Sequence, residues 1–147
     1  MDMQTAPRID ADAMLDQVEA WSAINTGTGN LEGLAHQADA LVEAFSALPG
    51  NVELIEPAPV TAIASDGSEY EKANGKHLVV RVRPGANRRI VLTGHMDTVF
   101  PPDHPFQEQR WLDGETLNGP GVADMKGGIA VMLHALLAFE RSSAASS

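Results

Sequence analysis

A short apolar run, Ile90-Val91-Leu92-Thr93, ends in Gly94-His95-Met96-Asp97-Thr98, and further along Gly119-Pro120-Gly121-Val122-Ala123-Asp124-Met125-Lys126-Gly127-Gly128 opens into a second apolar run. The first pattern is a strand that delivers an imidazole and a carboxylate at its carboxyl end. The second is a glycine-rich loop that carries a carboxylate to a helix start. Open α/β sheets gather ligand-binding side chains at such strand and helix ends. Both patterns fit an α/β arrangement.

The remainder of the sequence fits that constraint. At 147 residues and 44% hydrophobic content the chain is long enough and apolar enough for one domain with a core. Its net charge of −10 argues against nucleic acid or an anionic membrane as a partner. Cysteine is absent, so disulfides, thiolate metal sites and a cysteine nucleophile are excluded. Any metal takes His, Asp or Glu ligands. Met1 to Asp12 is polar and lacks the basic start and apolar centre of a signal peptide. No stretch reads as the ~18 apolar residues of a membrane span. The default expectation is a cytoplasmic protein.

Periodicity predicts the elements. Ile9 to Asn25 reads as a helix, with Met14, Leu15, Val18 and Trp21 near helical spacing and Asp10 or Asp12 as cap. Thr26-Gly27-Thr28-Gly29-Asn30 reads as a flexible turn. Leu31 to Leu48 is a second helix with Leu34, Ala38, Leu41, Val42 and Phe45 on one face, ended by Pro49-Gly50. Val52 to Ile55 is a short strand limited by Pro57 and Pro59. Ser65 to Gly75 is a polar hairpin loop. Lys76 to Arg83 alternates as a half-exposed strand. Arg89 to Thr93 reads as a strand buried on both faces. A Pro-rich loop from Phe100 to Phe106 and a hairpin around Asp113-Gly114 follow. Gly127 to Phe139 is a mostly buried helix, and the segment after Arg141 has no packing signal. The expected fold is α/β, a partial three-layer α/β/α sandwich with a mixed sheet.

Three residues stand out for chemistry. His95 and Asp97 lie two apart, so on an extended backbone they point to the same side. A metal-bound imidazole has its second nitrogen anchored, often by a carboxylate. A capped strand end fits the same two residues. Asp124 lies among Gly119, Gly121, Gly127 and Gly128, where backbone can approach a ligand closely. A capping Asp in a glycine-rich loop fits it equally well. Of the other histidines, His134 reads as a core or interface residue and His36 and His77 as surface residues. His104 lies in a loop near the expected cleft, and Trp111 reads as packing.

The stretch from Gly94 to Phe139 resembles the amino-terminal half of the catalytic domain of metallopeptidase family 20, the co-catalytic di-zinc carboxypeptidases, aminoacylases and deacylases. Gly94-His95-Met96-Asp97-Thr98-Val99-Phe100 matches its first signature and the segment Gly119 to Gly128 its second. Pro105-Phe106, Gly114 and Leu117-Asn118-Gly119-Pro120-Gly121 resemble the glutamate carboxypeptidase branch. The resemblance implies that His95 ligates one zinc and that Asp124 bridges both. It implies that Asp97 orients the site and that the peptide bond after Asp124 is often cis. The implied reaction is hydrolysis of an amide or peptide bond in a small peptide or N-acyl amino acid, including release of a C-terminal glutamate-like residue. Cobalt and manganese are alternatives to zinc, and relatives suggest a homodimer for the full-length parent. The family's general base, in a Glu-Glu pair, and its remaining ligands are expected beyond Ser147. Residues 1–141 are therefore expected to form the front part of such a domain, inactive alone, with 142–147 a disordered tail. The alternative is a non-catalytic metal-binding or partner-completed module.

Overall fold

The first helix begins where Asp10 accepts a hydrogen bond from the Ala13 N–H (3.1 Å), which satisfies one of the free donors of its first turn. In the computed structural model, which describes residues 9–146, this helix, α1, spans Ala11–Ser22 and buries Val18, Trp21 and Ser22. The polar stretch before residue 9, read above for the absence of a leader, lies outside the described residues, as does Ser147. Helix α2, Leu31–Phe45, is capped by Asn30, which accepts from the Gly33 N–H (3.2 Å). Leu34, Ala38, Leu41 and Phe45 form its buried face, as the spacing predicts, and Gln37 joins them.

Strands follow in antiparallel pairs. β1 (Asn51–Ile55) pairs with β4 (His77–Arg81), setting Val52 opposite Val80 and Leu54 opposite Leu78. β2 (Val60–Ile63) and β3 (Glu69–Lys72) form a hairpin, and β3 lies inside the Ser65–Gly75 stretch read as its polar loop. All four β3 residues are exposed, so this strand carries no apolar alternation by which to be recognised. β5 (Arg110–Trp111) and β6 (Leu117–Asn118) form the small hairpin expected around Asp113-Gly114.

Helix α3, Gly127–Glu140, lays Ile129, Ala130 and Leu133 against Val18 and Trp21 of α1 and Leu41 and Phe45 of α2. Val52, Leu78, Val80 and Val82 of the β1–β4 region close the same core. The α/β class is present, with helices packed on a ladder. The sheet differs in detail from the expected single mixed sheet: three two-stranded antiparallel ladders stand in its place among the described residues. Arg89–Thr93 is the reason. This segment joins no ladder, and Ile90 and Val91 are 88% and 82% exposed. A doubly buried strand requires a neighbour on each edge and a layer on each face, and no described strand flanks this one.

Three further differences concern α3 and the carboxyl-terminal segment. The helix is less buried than its lack of charge suggests, with Val131 and Phe139 exposed. Val122–Glu140 is long and apolar enough, by length and composition alone, to cross a membrane, contrary to the expectation that no stretch is. The non-helical backbone of Asp124 and Met125 interrupts that run, and its inner face belongs to the core. Ser143–Ser146 winds into a 3-10 turn in which the Ala145 N–H donates to the Ser142 carbonyl (3.2 Å), where a structureless tail was expected.

Candidate metal centre

Two loops meet at His95. One continues from Ile90–Thr93, and the other is the turn Val122–Lys126 that precedes α3. Gly121 makes the second possible: its φ is +74°, and a Cβ there would stand 3.0 Å from the Thr98 side chain and 3.1 Å from that of Lys126. The turn is closed by the Lys126 N–H donating to the Gly121 carbonyl (2.8 Å). Asp124 and Met125 leave helical conformation (φ −126° and −132°), and the peptide bond between them is cis.

Lys126 anchors this turn from below. It is 1% exposed, and its ammonium donates to the carbonyls of Trp21 (2.8 Å) and Ile24 (2.7 Å) at the end of α1. Burial pushes its pKa down to about 8. The two carbonyls that accept from the ammonium favour its charged form in opposition. A lone cation in an apolar run gave no such signal in the sequence.

The result is that the His95 ring lies between two carboxylates. Its Nε2 is 3.0 Å from Asp124 Oδ1. Its Nδ1 is 3.0 Å from the Asp97 carbonyl and 3.3 Å from Asp97 Oδ1. The carbonyl is the closer partner, so the orienting contact expected of the Asp97 side chain is shared with its own backbone. Burial alone would lower the His95 pKa. The Asp97 carbonyl, then the Asp124 and Asp97 carboxylates, outweigh it and raise the pKa above the ordinary imidazole value.

Because Asp97 and Asp124 face opposite ring nitrogens, the three side chains do not converge on one point. No cluster of three metal-ligating side chains exists among the described residues. His95 and Asp124 nevertheless suit a metal. Two donors held about 2.0–2.1 Å from a tetrahedral ion stand roughly 3.3 Å apart, close to the 3.0 Å observed. A nitrogen and a carboxylate oxygen are also the donors a borderline-hard divalent ion takes. Asp124 is open to solvent, its side chain 85% exposed.

A cleft of about 590 Å³ adjoins the imidazole, walled by apolar side chains of α2, β4 and α3 and by His95, Asp97 and Thr28. His104 does not line it. That ring packs 5.0 Å from Phe100, and its Nδ1 accepts from the Phe106 N–H. His134 bonds Gln17 (2.9 Å), in keeping with a packing role. His36 and His77 are exposed. Trp111, read as packing, is 46% exposed and donates to Glu19.

One neighbour of the site was misread from sequence. The turn 26–30, expected to be flexible, is strapped to the 97–100 loop. Thr98 N–H donates to the Thr26 carbonyl (2.8 Å), Thr28 N–H to the Thr98 carbonyl (2.9 Å), and the Thr28 hydroxyl to Asp97 Oδ2 (2.7 Å). Glycine, threonine and asparagine carry turn chemistry in any loop, and their composition does not reveal a partner some seventy residues away.

The His95–Asp97 loop apposed to Asp124 in a glycine-rich turn brings the two sequence motifs together in space. Residues 91–146 match the family model described as Peptidase family M20/M25/M40, so the resemblance read from the two motifs stands. The chain is similar to Carboxypeptidase G2 of Pseudomonas sp. (strain RS-16), 29% identical over 124 residues, which cover 84% of this chain and 27% of that protein. It is also similar to the putative succinyl-diaminopimelate desuccinylase DapE of Mycobacterium tuberculosis (strain CDC 1551 / Oshkosh). There the identity is 39% over 74 residues, 50% of this chain and 20% of the relative. The chain thus spans about a quarter or less of the length of these relatives.

Proposed function

We propose that this chain contributes one part of the metal centre of a zinc-dependent amide or peptide hydrolase. The observation that carries the reading is the 3.0 Å apposition of His95 Nε2 and Asp124 Oδ1, each at the centre of one of the two matched motifs. His95 and Asp124 would be the residues of this chain that hold metal in a site of two zinc ions, for which cobalt or manganese could substitute. Asp97 holds the imidazole from the Nδ1 side, so that Nε2 presents its lone pair once its proton has left. The bound metal supplies Lewis-acid polarisation of the scissile carbonyl and of water. The substrate class is a small peptide or N-acyl amino acid, including one ending in a glutamate-like residue. The setting is the cytoplasm, without nucleic acid or membrane, and the full-length parent works as a homodimer.

One imidazole and one carboxylate are fewer protein ligands than a catalytic zinc site uses. On this reading the chain alone binds zinc weakly and does not turn over. Zinc titration by calorimetry tests it, with His95→Ala and Asp124→Asn as variants and hydrolysis of an N-acyl glutamate as a second readout. The expected result is zinc binding to the wild type that both variants abolish, and no hydrolysis. Equal zinc binding by wild type and variants overturns the ligand assignment. Zinc-dependent hydrolysis overturns the inactivity.

A second reading, a module completed by a partner, is favoured by the exposure of Ile90 and Val91. On that reading another polypeptide supplies the missing sheet neighbours.

A further inference from the structure

We propose that Thr28 is a positioning residue for His95, acting through the Asp97 carboxylate. This inference rests on the metal-centre reading above for its zinc readout, but its geometric content does not depend on zinc.

Thr28 projects from the strap between α1 and α2, and its hydroxyl has two acceptors in reach. Asp97 Oδ2 lies at 2.7 Å and the Thr98 carbonyl at 3.3 Å. A hydroxyl has one proton to donate. The charged acceptor at the shorter distance takes it, because hydrogen bonds to an ionised partner are shorter and stronger. Asp97 is thereby held by one oxygen and turns the other, Oδ1, toward His95 Nδ1 at 3.3 Å. Apart from the Thr28 hydroxyl, the Asp97 carboxylate meets, among the described residues, only the imidazole that it is meant to orient. The relay runs from the Thr28 hydroxyl to the Asp97 carboxylate, to the His95 Nδ1–H, and so to the direction of Nε2.

The strap is built to keep Thr28 in place. The Thr98 N–H donates to the Thr26 carbonyl and the Thr28 N–H to the Thr98 carbonyl, the two bonds of a parallel bridge between Gly27 and Thr98. Gly27 lies so close to the facing loop that a Cβ would stand 2.5 Å from the Phe100 carbonyl oxygen. Asn25 ties the strap down a third time. Its amide donates to the Phe100 carbonyl (3.0 Å) and to Gln107 Oε1 (2.7 Å), while its oxygen accepts from the Gly27 N–H and from Asn30. Asn30 in turn caps α2. The hydroxyl is therefore presented from a loop fixed to α2 and to the site loop together, which is the support a ligand-orienting contact requires.

The test uses the full chain with Thr28→Val, which keeps the branched shape and removes the hydroxyl, and Thr28→Ser, which restores it. Two quantities are read: zinc affinity by calorimetry, and the ¹⁵N signals of the His95 ring without metal. The expected result for Thr28→Val is a melting temperature near wild type, zinc affinity lowered about tenfold or more, and altered His95 Nδ1 and Nε2 shifts. Thr28→Ser is expected to recover both. Unchanged ring signals with Thr28→Val overturn the proposal, whatever zinc does. Altered ring signals in a chain whose zinc binding is insensitive to His95→Ala keep the relay and overturn the metal-centre reading instead. A Thr28→Val chain that loses melting temperature and is not repaired by Thr28→Ser assigns Thr28 to the fold and also overturns the proposal.

Discussion

Gln37 is wholly buried on α2, and neither its amide nitrogen nor its oxygen has a hydrogen-bond partner among the described residues. Its neighbours on the same face are Leu34, Ala38 and Leu41. A buried amide without partners costs about 1–3 kcal/mol on protein mutational scales. Gln37→Leu, similar in size and matched to its surroundings, is expected to raise stability by about 1 kcal/mol, read from the urea midpoint at constant slope. A lowered midpoint would show that the amide is satisfied in solution. At His95 the logic reverses. Every polar contact of the ring has an identified partner, and the ring lies between groups that favour its charged form. Polar groups with matched partners mark the site, whereas the unmatched amide lies in the core.

Among the elements, α3 links the site to the body of the fold. Its start follows the Asp124 turn, its inner face fills the core, and its end is held to the segment after β4. There the Arg83 guanidinium donates in bidentate fashion to Glu140 (2.7 and 2.6 Å). The Arg83 hydrogen bonds hold the Glu140 carboxyl below its ordinary value of 4.5. The native state thus binds fewer protons than the unfolded chain in this range, so stability rises with pH across it. The contribution is fully present above pH 4.5 and is lost as pH falls through the lowered native value. Because the pair is solvent-facing, salt weakens it. The melting temperature of wild type is therefore expected to fall more steeply below pH 4.5 than that of Glu140→Gln, with the gap narrowing in high salt. Parallel curves would show that the pair contributes nothing measurable.

For the whole molecule the open question is the exposed run Ile90-Val91-Leu92. It lies beside the apolar cleft, and both Ile90 and Leu92 line it. An extended apolar segment with unpaired backbone groups is a template for intermolecular pairing. The chain is expected to associate as concentration rises, and Val91→Lys, at a position 82% exposed, is expected to reduce that association in sedimentation velocity. Identical sedimentation of the two proteins would show that the run is protected in solution.

Helices α1, α2 and α3, strands β1 and β4 and the hairpin around Asp113-Gly114 were legible in the sequence. Asp10 and Asn30 announce helix starts, the spacing of Leu34, Ala38, Leu41 and Phe45 declares a buried face, and two motifs single out His95, Asp97 and Asp124. Such signals are short-range, written in caps, periodicity and glycine placement. Only the tertiary structure decided that the turn at 26–30 is a strap on Asp97, that Lys126 caps the carbonyls of α1, and that Arg89–Thr93 joins no ladder. Those outcomes depend on which distant groups meet: a hydroxyl and a carboxylate, an ammonium and a helix end, a strand and the neighbours it lacks. Composition and spacing carry no record of a pairing whose two halves lie on separate loops.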